Sequence, residues 1–348
     1  MTDVLYDLRV KHTKTNPVFV IGCARSGTSV LIRLIRKYLK INFGTETQFI
    51  IRYYNKIRKY SDLNRDSNLK ILIDDISKER CFSRWKKRFG FDINFEEIYQ
   101  EVMNKQRFGN ENNIEIYQDI LTSMFEKFAR YHRMTRWGDK TPDYILNLPV
   151  LIGLYPKAQF IHIVRDGRDV ALSLFQTPFG NNNVYKAAVS WKADINRLKE
   201  FAKKIPKDQL VEIRYEDLLN DPEKVFSVLI KFLGIEDNDN NLMKFISENI
   251  RNDLKQNNTI KWKKLLSLNE QFVFDKIACD ILSNYDYETN LKNVQSINLI
   301  EKIYWELDNA LKKGFDKRYW SDNFYKFNVK VKEISLPMRK FISGNNYN

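Results

Sequence analysis

The first predicted element of the chain is a short strand. Residues 17–21 form an uninterrupted run of apolar, mostly β-branched side chains, which is typical of a strand that is buried on both faces. A loop at residues 22–29 follows the strand. Beyond the loop, apolar side chains recur at helical spacing, at Val30, Leu31, Leu34, Ile35, Tyr38 and Leu39. The pattern predicts a strand, a tight loop and a helix in direct succession.

The same alternation returns in the second half of the chain. Strand patterns occupy residues 159–164 and 210–214, and helical patterns begin near residues 170, 185 and 222. Strands that alternate with helices indicate a parallel sheet with right-handed crossovers. We therefore predict an α/β, P-loop-like three-layer fold, in which a central parallel sheet is flanked by helices.

Two segments depart from this alternation. Residues 51–135 are charged and tyrosine-rich with helical patches, and they are interpreted as a helical insertion. Residues 291–348 carry one amphipathic helix and then become irregular, which indicates a C-terminal helical extension. We predict a single domain over residues 1–348, with its core in 15–50 and 136–290.

Composition narrows the class of protein. Of 348 residues, 43% are apolar and 14% aromatic, which is ample for a large buried core. The net charge of +14 has two interpretations, namely solubility with weak attraction to polyanions, or a site for an anionic ligand. Because the Lys and Arg residues are scattered along the chain, charge alone favours the first interpretation.

The few cysteines and histidines suggest neither disulfides nor a metal site. Cys23, Cys81 and Cys279 are odd in number and far apart, which fits a reducing, cytoplasmic location. Residues 1–16 lack the apolar core of a signal peptide, and no apolar run is long enough to span a membrane. No His/Asp/Glu cluster has ligand spacing, so we expect no catalytic metal. His162 lies in an apolar strand and is interpreted as a core imidazole.

The loop after the first strand has the spacing of a phosphate-binding loop. Gly22 and Gly27 are separated by four residues, and a glycine loop at a helix N-terminus offers backbone N–H groups to an anion. Thr28 and Ser29 follow, so the P-loop lysine is absent, and Arg25 can supply the positive charge. An ordinary strand–loop–helix turn is the alternative interpretation.

The missing lysine decides between chemistries. Nucleotide hydrolysis and kinase reactions require a lysine on the β- and γ-phosphates, with Mg²⁺ held by the loop hydroxyl and by an Asp on a second strand. The sequence offers no suitable lone Asp at a strand end. A metal-free nucleotide site is therefore the better interpretation.

At three places the chain resembles the sulfotransferase family. Residues 17–29 are similar to the family's 5′-phosphosulfate loop, in the Arg-Ser-Gly-Thr form of the protein-tyrosine sulfotransferases and their bacterial relatives. Residues 160–173 are similar to its 3′-phosphate-binding strand and helix, and residues 214–222 to its Tyr-Glu-Asp stretch. The resemblance covers residues 15–50 and 136–290. It implies 3′-phosphoadenylyl sulfate (PAPS) as the sulfuryl donor, without a metal.

The resemblance also implies residues for both anionic ends of PAPS. Arg165 and Ser173, eight residues further on, correspond to the pair that holds the 3′-phosphate. For Arg165 and Arg168 a surface ion-pair set with Asp166 and Asp169 is the alternative, and it is favoured for Arg168. The full set of predicted nucleotide-binding residues is Gly22, Arg25, Ser26, Gly27, Thr28, Ser29, Arg165, Ser173, Tyr215 and Lys261.

Sulfuryl transfer to a hydroxyl requires a base and fixed cations. Glu46 resembles the glutamate that serves as base in the family, with an exposed loop carboxylate as the alternative. Arg25 and Lys140 are the predicted cations, and the resemblance implies that Lys140 touches the sulfuryl group. His162 is a weaker candidate for the base, because it lies in the middle of a strand.

The predicted reaction moves a sulfuryl group from PAPS to an acceptor hydroxyl and releases PAP. A carbohydrate or glycolipid is the first expectation for the acceptor, followed by a peptide tyrosine or a small metabolite. Tyr53, Tyr54 and Tyr60 could stack on sugar rings or could belong to the core. Thr177 stands where the tyrosine sulfotransferases have an arginine, which cautions against assuming their substrate.

Two other functions remain open from the sequence. The first is a kinase or nucleotidase with a degenerate P-loop, and the second is a non-catalytic polyanion-binding protein. We expect neither a nucleic-acid partner nor integral membrane association, and no oligomeric state is predicted.

Overall fold

The computed structural model describes residues 10–106, 111–177, 180–237, 239–255, 258–291, 293–315 and 320. The chain divides into two compact units. The first unit comprises residues 1–165 and 194–258, and the second comprises residues 166–193 and 259–348. The single domain expected over residues 1–348 stays a prediction.

The described residues contain seven strands. They are β1 (Lys11–His12), β2 (Val18–Ile21), β3 (Ile41–Phe43), β4 (Arg136–Asp139), β5 (Gln159–Val164), β6 (Leu210–Arg214) and β7 (Ile235–Glu236). Five of them form a parallel sheet in the order β3-β4-β2-β5-β6, whereas β1 and β7 form a separate antiparallel pair. The predicted parallel sheet is confirmed.

Fifteen α-helices lie among the described residues. They are α1 (Thr28–Tyr38), α2 (Phe49–Lys56), α3 (Asp66–Ser77), α4 (Arg80–Phe89), α5 (Phe95–Gln106), α6 (Asn113–Tyr131), α7 (Leu148–Leu154), α8 (Gly167–Leu174), α9 (Val184–Ala202), α10 (Tyr215–Asn220), α11 (Pro222–Leu233), α12 (Asn241–Asn249), α13 (Trp262–Leu265), α14 (Leu268–Asn284) and α15 (Leu299–Phe315). Short 3₁₀ helices lie at Ile57–Tyr60, Pro142–Leu146, Lys207–Gln209 and Ile250–Asp253. No helix in the described ranges is long and apolar enough to cross a membrane.

Both faces of the sheet in the first unit are covered. Val18 and Val20 of β2 point into an apolar core that includes Leu31 of α1 and Leu229 of α11. Successive strand residues point to opposite faces, and Phe19 accordingly packs on the other face against aromatic rings. On that face Phe160, Tyr144 and Phe201 form edge and stacked contacts. The predicted three-layer arrangement is therefore confirmed.

Helices α2 to α6 form the insertion, as expected. Tyr53 and Tyr60, which could have stacked on a sugar, are buried and donate to the backbone and the carboxylate of Asp75, each over 3.0 Å. Trp85 of α4 stacks on Phe128 of α6 with ring centroids 4.1 Å apart. Burial and the hydrogen bonds to Asp75 assign both tyrosines to the core.

The second unit is built around a buried arginine. Arg168 in α8 is fully buried, donates to both carboxylate oxygens of Asp166, and reaches Asp275 of α14 at 3.3 Å. Its guanidinium carbon lies 3.5 Å from the centroid of the Trp262 ring. The sequence interpretation of a surface ion pair is therefore wrong in one respect, because the pair with Asp166 is buried.

The predicted C-terminal extension lies in this second unit. Its amphipathic helix is confirmed as α15, which exposes most of its apolar side chains. Residues 292, 316–319 and 321–348 of the extension lie outside the described residues.

Replacing Arg168 with Ala should destabilise the protein by about 3–5 kcal/mol, because two buried carboxylates lose their cation. Urea denaturation measures the effect. Lys203→Ala, which removes an exposed pair with Glu200, is the control and should cost less than about 1 kcal/mol. Equal losses for the two variants would contradict this account.

Candidate active site

The loop between β2 and α1 is tightly closed. The Ser26 backbone N–H and hydroxyl both donate to the Cys23 carbonyl, over 3.1 and 2.7 Å. Gly22 cannot carry a side chain, because a Cβ there would lie 2.5 Å from the Ile163 carbonyl oxygen of β5. Arg25 has a left-handed backbone with φ of 71°, and its side chain is exposed. Loops with left-handed residues present backbone N–H groups to anions in many phosphate sites.

Gly27 ends the loop against an aromatic ring. Its φ is 101°, and a Cβ would lie only 2.3 Å from Cδ2 of Tyr215. The first hydrogen bonds of α1 run to the Gly27 carbonyl from Val30 and Leu31. Only glycine satisfies both the backbone angle and the contact with Tyr215.

Arg165 joins the loop to Tyr215. It follows β5, and its guanidinium carbon lies 4.6 Å from the centroid of the Tyr215 ring. It donates to the Arg25 carbonyl at 3.3 Å and to the Asn258 carbonyl at 2.8 Å. The Asn258 amide in turn donates to the Tyr215 hydroxyl at 2.7 Å. Arg165 is thus held at the carboxyl end of a parallel strand, where ligands bind in open α/β sheets.

Three polar residues meet beyond adjacent strand ends. Lys140 directly follows β4, Ser29 lies in the first turn of α1 after β2, and Glu46 follows β3. The Lys140 ammonium contacts the Glu46 carboxylate at 2.5 Å and the Ser29 hydroxyl at 3.3 Å. Because β3, β4 and β2 are parallel neighbours, their carboxyl ends bring these residues to one edge of the sheet.

A buried network fixes the chain on both sides of this contact. The carboxylate of Asp139, the residue before Lys140, accepts from Thr47, the residue after Glu46, at 2.8 Å. The Tyr144 hydroxyl donates to the same oxygen. Burial raises the pKa of Asp139 to about 6, against the opposing effect of these donors. The network makes Asp139, Thr47 and Tyr144 positioning residues for Glu46 and Lys140.

A cavity of about 1240 Å³ opens beside Ser29, Glu46 and Lys140. We call it the cationic cavity, because nine Lys and Arg side chains line it against one carboxylate, that of Glu46. Four of the cations come from α1 and the residues directly after it: Arg33, Arg36, Lys37 and Lys40. Three come from α4, namely Arg84, Lys87 and Arg88, and the others are Arg133 and Lys140.

The remaining predicted nucleotide residues fall in different places. Thr28 is nearly buried at the start of α1, whereas Ser173 and Lys261 belong to the second unit. Ser173 is half-buried in α8, and Lys261 is exposed directly before α13. The predicted pairing of Arg165 with Ser173 stays a prediction.

His162 has the structural role expected of it. The ring is buried in β5, and its Nδ1 lies 2.6 Å from a Glu212 carboxylate oxygen on β6. In the part of the chain that the structure describes, no group of three or more His, Cys, Asp or Glu residues could hold a metal ion.

Sequence reasoning missed the cationic cavity and the positioning network. The basic residues of α1 were visible at positions 33, 36 and 37, a spacing that places them on one face of a helix, and Lys40 follows shortly after the helix. No sequence signal joined them to α4, because the two helices are brought together by the fold of the insertion.

Comparison with known proteins identifies the family. The sequence model described as the sulfotransferase family matches residues 17–239, which include the loop, Glu46, Lys140, Arg165 and Tyr215. The chain therefore belongs to the sulfotransferase family, as its motifs had predicted.

Individual relatives are distant. The chain is 24% identical over 230 residues to a protein-tyrosine sulfotransferase of Drosophila melanogaster, covering 64% of this chain and 38% of that protein. It is 33% identical over 112 residues, 28% of each chain, to an omega-hydroxy-beta-dihydromenaquinone-9 sulfotransferase of Mycobacterium bovis. Among solved structures, the sulfotransferase domain from the Synechococcus PCC 7002 olefin synthase matches with a TM-score of 0.48 and 18% identity, covering 79% of this chain and 97% of that one. The alignments span 38%, 51% and 65% of the lengths of three curated relatives.

Replacing Gly27 with Ala should destabilise the protein by about 1–3 kcal/mol or more, because the methyl group meets Tyr215 and the backbone angle is unfavourable. Made in a Tyr215→Ala background, the same replacement should cost less than it does in the wild type, because the ring that meets the methyl group is absent. Gly314→Ala is the control, since no atom lies within 4 Å of a Cβ at that position. Equal losses of unfolding free energy for Gly27→Ala and Gly314→Ala in urea denaturation would refute the steric account.

The buried Asp139 predicts a pH-dependent stability. Its folded pKa of about 6 lies above the ordinary value of 3.8, so the folded state holds its proton more tightly than the unfolded state. The free energy of unfolding should therefore fall as pH rises from 4 to 6, by about 2–3 kcal/mol from this group. Asp139→Asn does not titrate, so its stability relative to wild type should improve over that range. A stability difference that is constant from pH 4 to 7 would argue against the assignment.

Proposed function

We propose that the protein transfers a sulfuryl group from PAPS to an acceptor hydroxyl and releases PAP. The observation that carries the proposal is the cluster of Ser29, Glu46 and Lys140 at the start of α1, directly after a phosphate-type loop. The cluster places a carboxylate and an ammonium beside the loop expected to hold the phosphosulfate. Membership of the sulfotransferase family supports the same reaction.

Glu46 acts as the general base in this proposal. Its side chain is about one-third exposed at the edge of the cationic cavity, so an acceptor hydroxyl can approach it. The hydroxyl loses its proton to the carboxylate as its oxygen attacks sulfur, and PAP leaves with the bridging oxygen. Sulfur keeps its three terminal oxygens throughout the transfer.

Lys140 and Arg25 stabilise the negative charge that develops during transfer. In the structure the Lys140 ammonium lies against the Glu46 carboxylate. With PAPS bound, the ammonium can turn toward the sulfuryl and bridging oxygens, which leaves the Glu46 carboxylate available for the acceptor proton. The exposed Arg25 side chain lies in the loop itself and supplies a second cation.

The nucleotide residues of the proposal are the loop residues, Arg165, Ser173, Tyr215 and Lys261. Backbone N–H groups of residues 22–28 and the N-terminus of α1 receive the 5′-phosphosulfate. Arg165 and Ser173 receive the 3′-phosphate, since a guanidinium can bind phosphate bidentately. The stacking of Arg165 on Tyr215 supports this role, because it holds the guanidinium plane in place before ligand binds.

A kinase or nucleotidase is the less favoured function. Such enzymes carry their lysine in the loop, whereas here Lys140 approaches Ser29 from a different strand. The family match also weighs against it. The acceptor bears a hydroxyl, with a carbohydrate or glycolipid as the first expectation, and a cytoplasmic location stays a prediction.

Replacing Glu46 with Gln should lower kcat by about 10²–10⁴-fold, because the base is lost. Its affinity for PAP should remain within about threefold of wild type. The measurements are transfer of labelled sulfate from PAPS and isothermal titration with PAP in the presence of EDTA.

Glu223→Gln is the matched control. Glu223 lies on α11, pairs with Arg251, and is remote from the loop in sequence. The variant should leave both kcat and PAP affinity unchanged. Absence of PAP binding by the wild-type protein at high micromolar concentration would overturn the proposed function, as would full activity of Glu46→Gln.

A further inference from the structure

The cationic cavity carries far more charge than the transfer reaction uses. Of its nine cations, Lys140 already has a place in the proposed function, and Glu46 is the one carboxylate among the lining residues. Eight cations remain, of which Arg84 lies at the reacting end, where it donates to the Glu46 carbonyl at 3.0 Å. Their arrangement points to the chemistry of the acceptor, and the inference therefore rests on the proposed function.

Helix α1 contributes a continuous basic face. Arg33, Arg36 and Lys37 are spaced at i, i+3 and i+4, so their side chains lie along one side of the helix and line the cavity, and Lys40, two residues beyond the helix end, lines it as well. From Arg33 to Lys37 this face is about 6 Å long, at about 1.5 Å per residue. Like charges at i, i+4 repel one another. Asp253 already binds the pair Arg33 and Lys37, through its carbonyl and its carboxylate respectively, each at 2.6 Å, so the cations left for an occupant are the others.

Within the described ranges, three of the arginines that line the cavity have no carboxylate partner. Among the described residues, no carboxylate oxygen lies within 4.0 Å of Arg36, Arg88 or Arg133, whereas Lys37 pairs with Asp253 at 2.6 Å. Burial and the neighbouring Arg88 lower the pKa of Arg36 to about 10. Two guanidinium groups thus face the same space with a repulsive interaction between them.

The guanidinium groups of Arg36 and Arg88 both lie against the ring of Phe89. The guanidinium carbon of Arg36 lies 4.3 Å from its centroid, and that of Arg88 lies 5.4 Å away. Stacked arginines are held in fixed orientation and bind carboxylate or phosphate bidentately. Arg36, Arg88 and the Phe89 ring all line the cavity, so an occupant meets two oriented cations beside an aromatic ring.

We propose that the cationic cavity binds an acceptor that is an acidic carbohydrate, bearing two or more carboxylate or phosphate groups, with its reacting hydroxyl at Glu46. More than one anionic group is expected because the lining cations come from separate segments of the chain, namely α1, α4 and Arg133. A carbohydrate is favoured over a peptide tyrosine because it can offer hydroxyl groups to Ser29, Thr45 and Arg84 and a C–H face to the apolar side chains that also line the cavity.

The test is direct binding to the PAP-saturated protein in 0.15 M salt, by isothermal titration. The probes are tetragalacturonate, its fully methyl-esterified form, glucose 1,6-bisphosphate, and a peptide with four glutamates around one tyrosine. We expect tetragalacturonate or the bisphosphate to bind at least tenfold more tightly than the neutral ester. Which of the two binds more tightly distinguishes carboxylate from phosphate as the recognised group.

Substitutions then locate the binding. The combined variant Arg36→Gln, Arg88→Gln and Arg133→Gln should weaken the acidic probe at least tenfold and leave PAP affinity within threefold. The corresponding triple change to Lys should retain most of the binding, which also guards against a folding defect in the Gln variant. The control is Lys224→Gln, Lys231→Gln and Lys244→Gln, which removes the same charge from exposed positions outside the cavity. It should bind the probe as wild type does.

Several outcomes would overturn the inference while PAP binding and Glu46-dependent transfer, and hence the proposed function, stand. The first is that neither tetragalacturonate nor the bisphosphate binds more tightly than the neutral ester. The second is that the cavity triple variant and the control triple variant weaken binding equally. The third is that the peptide binds tenfold more tightly than either acidic sugar. Failure of PAP to bind would instead overturn the proposed function. The acidic probes and the ester would then be compared on the protein without PAP, to test anion binding by the cavity alone.

Discussion

A buried ammonium requires a negative partner, and this requirement brings Glu46 to the ammonium of Lys140. Lys140 is only 6% exposed, and an unpaired cation at that depth would cost several kcal/mol. Its partner, Glu46, comes from the segment after β3, while Lys140 itself is held at the end of β4. Parallel pairing of β3, β4 and β2 makes the contact possible, and Ser29 joins it from α1.

The sequence predicted the strands whose apolar runs are uninterrupted. Strands β2, β5 and β6 agree with expectation to within one residue, because each is defined by a continuous or alternating apolar pattern. Strands β3 and β4 were missed, since each is short and contains a polar residue that is buried, Asn42 and Arg136 respectively. The Arg136 guanidinium is satisfied by carbonyl and amide oxygens, a set of partners that only tertiary structure supplies.

The candidate site also contains residues that local sequence motifs predict and residues that only the tertiary structure brings together. The loop, Arg165 and Tyr215 follow from local motifs, in which each residue has its role within a strand–loop–helix unit. Glu46 and Lys140 are far apart in sequence, so their direct contact could be inferred only through the resemblance to a family. The cationic cavity needs the packing of α1 against the insertion, and neither segment alone indicates it. Its basic residues Arg36 and Lys37 lie in the last turn of α1, where the helix dipole favours positive charge.

The packing of Gly27 against Tyr215 has a consequence for how such a protein can change over generations. A larger residue at position 27 needs a smaller one at 215, yet a smaller residue at 215 removes the ring beneath Arg165. Arg165 also holds the Arg25 carbonyl, so a change at any of these places is felt in the loop. Substitutions at positions 27, 165 and 215 are therefore not independent. A substitution at one of these positions is expected to be retained only with a compensating substitution at another.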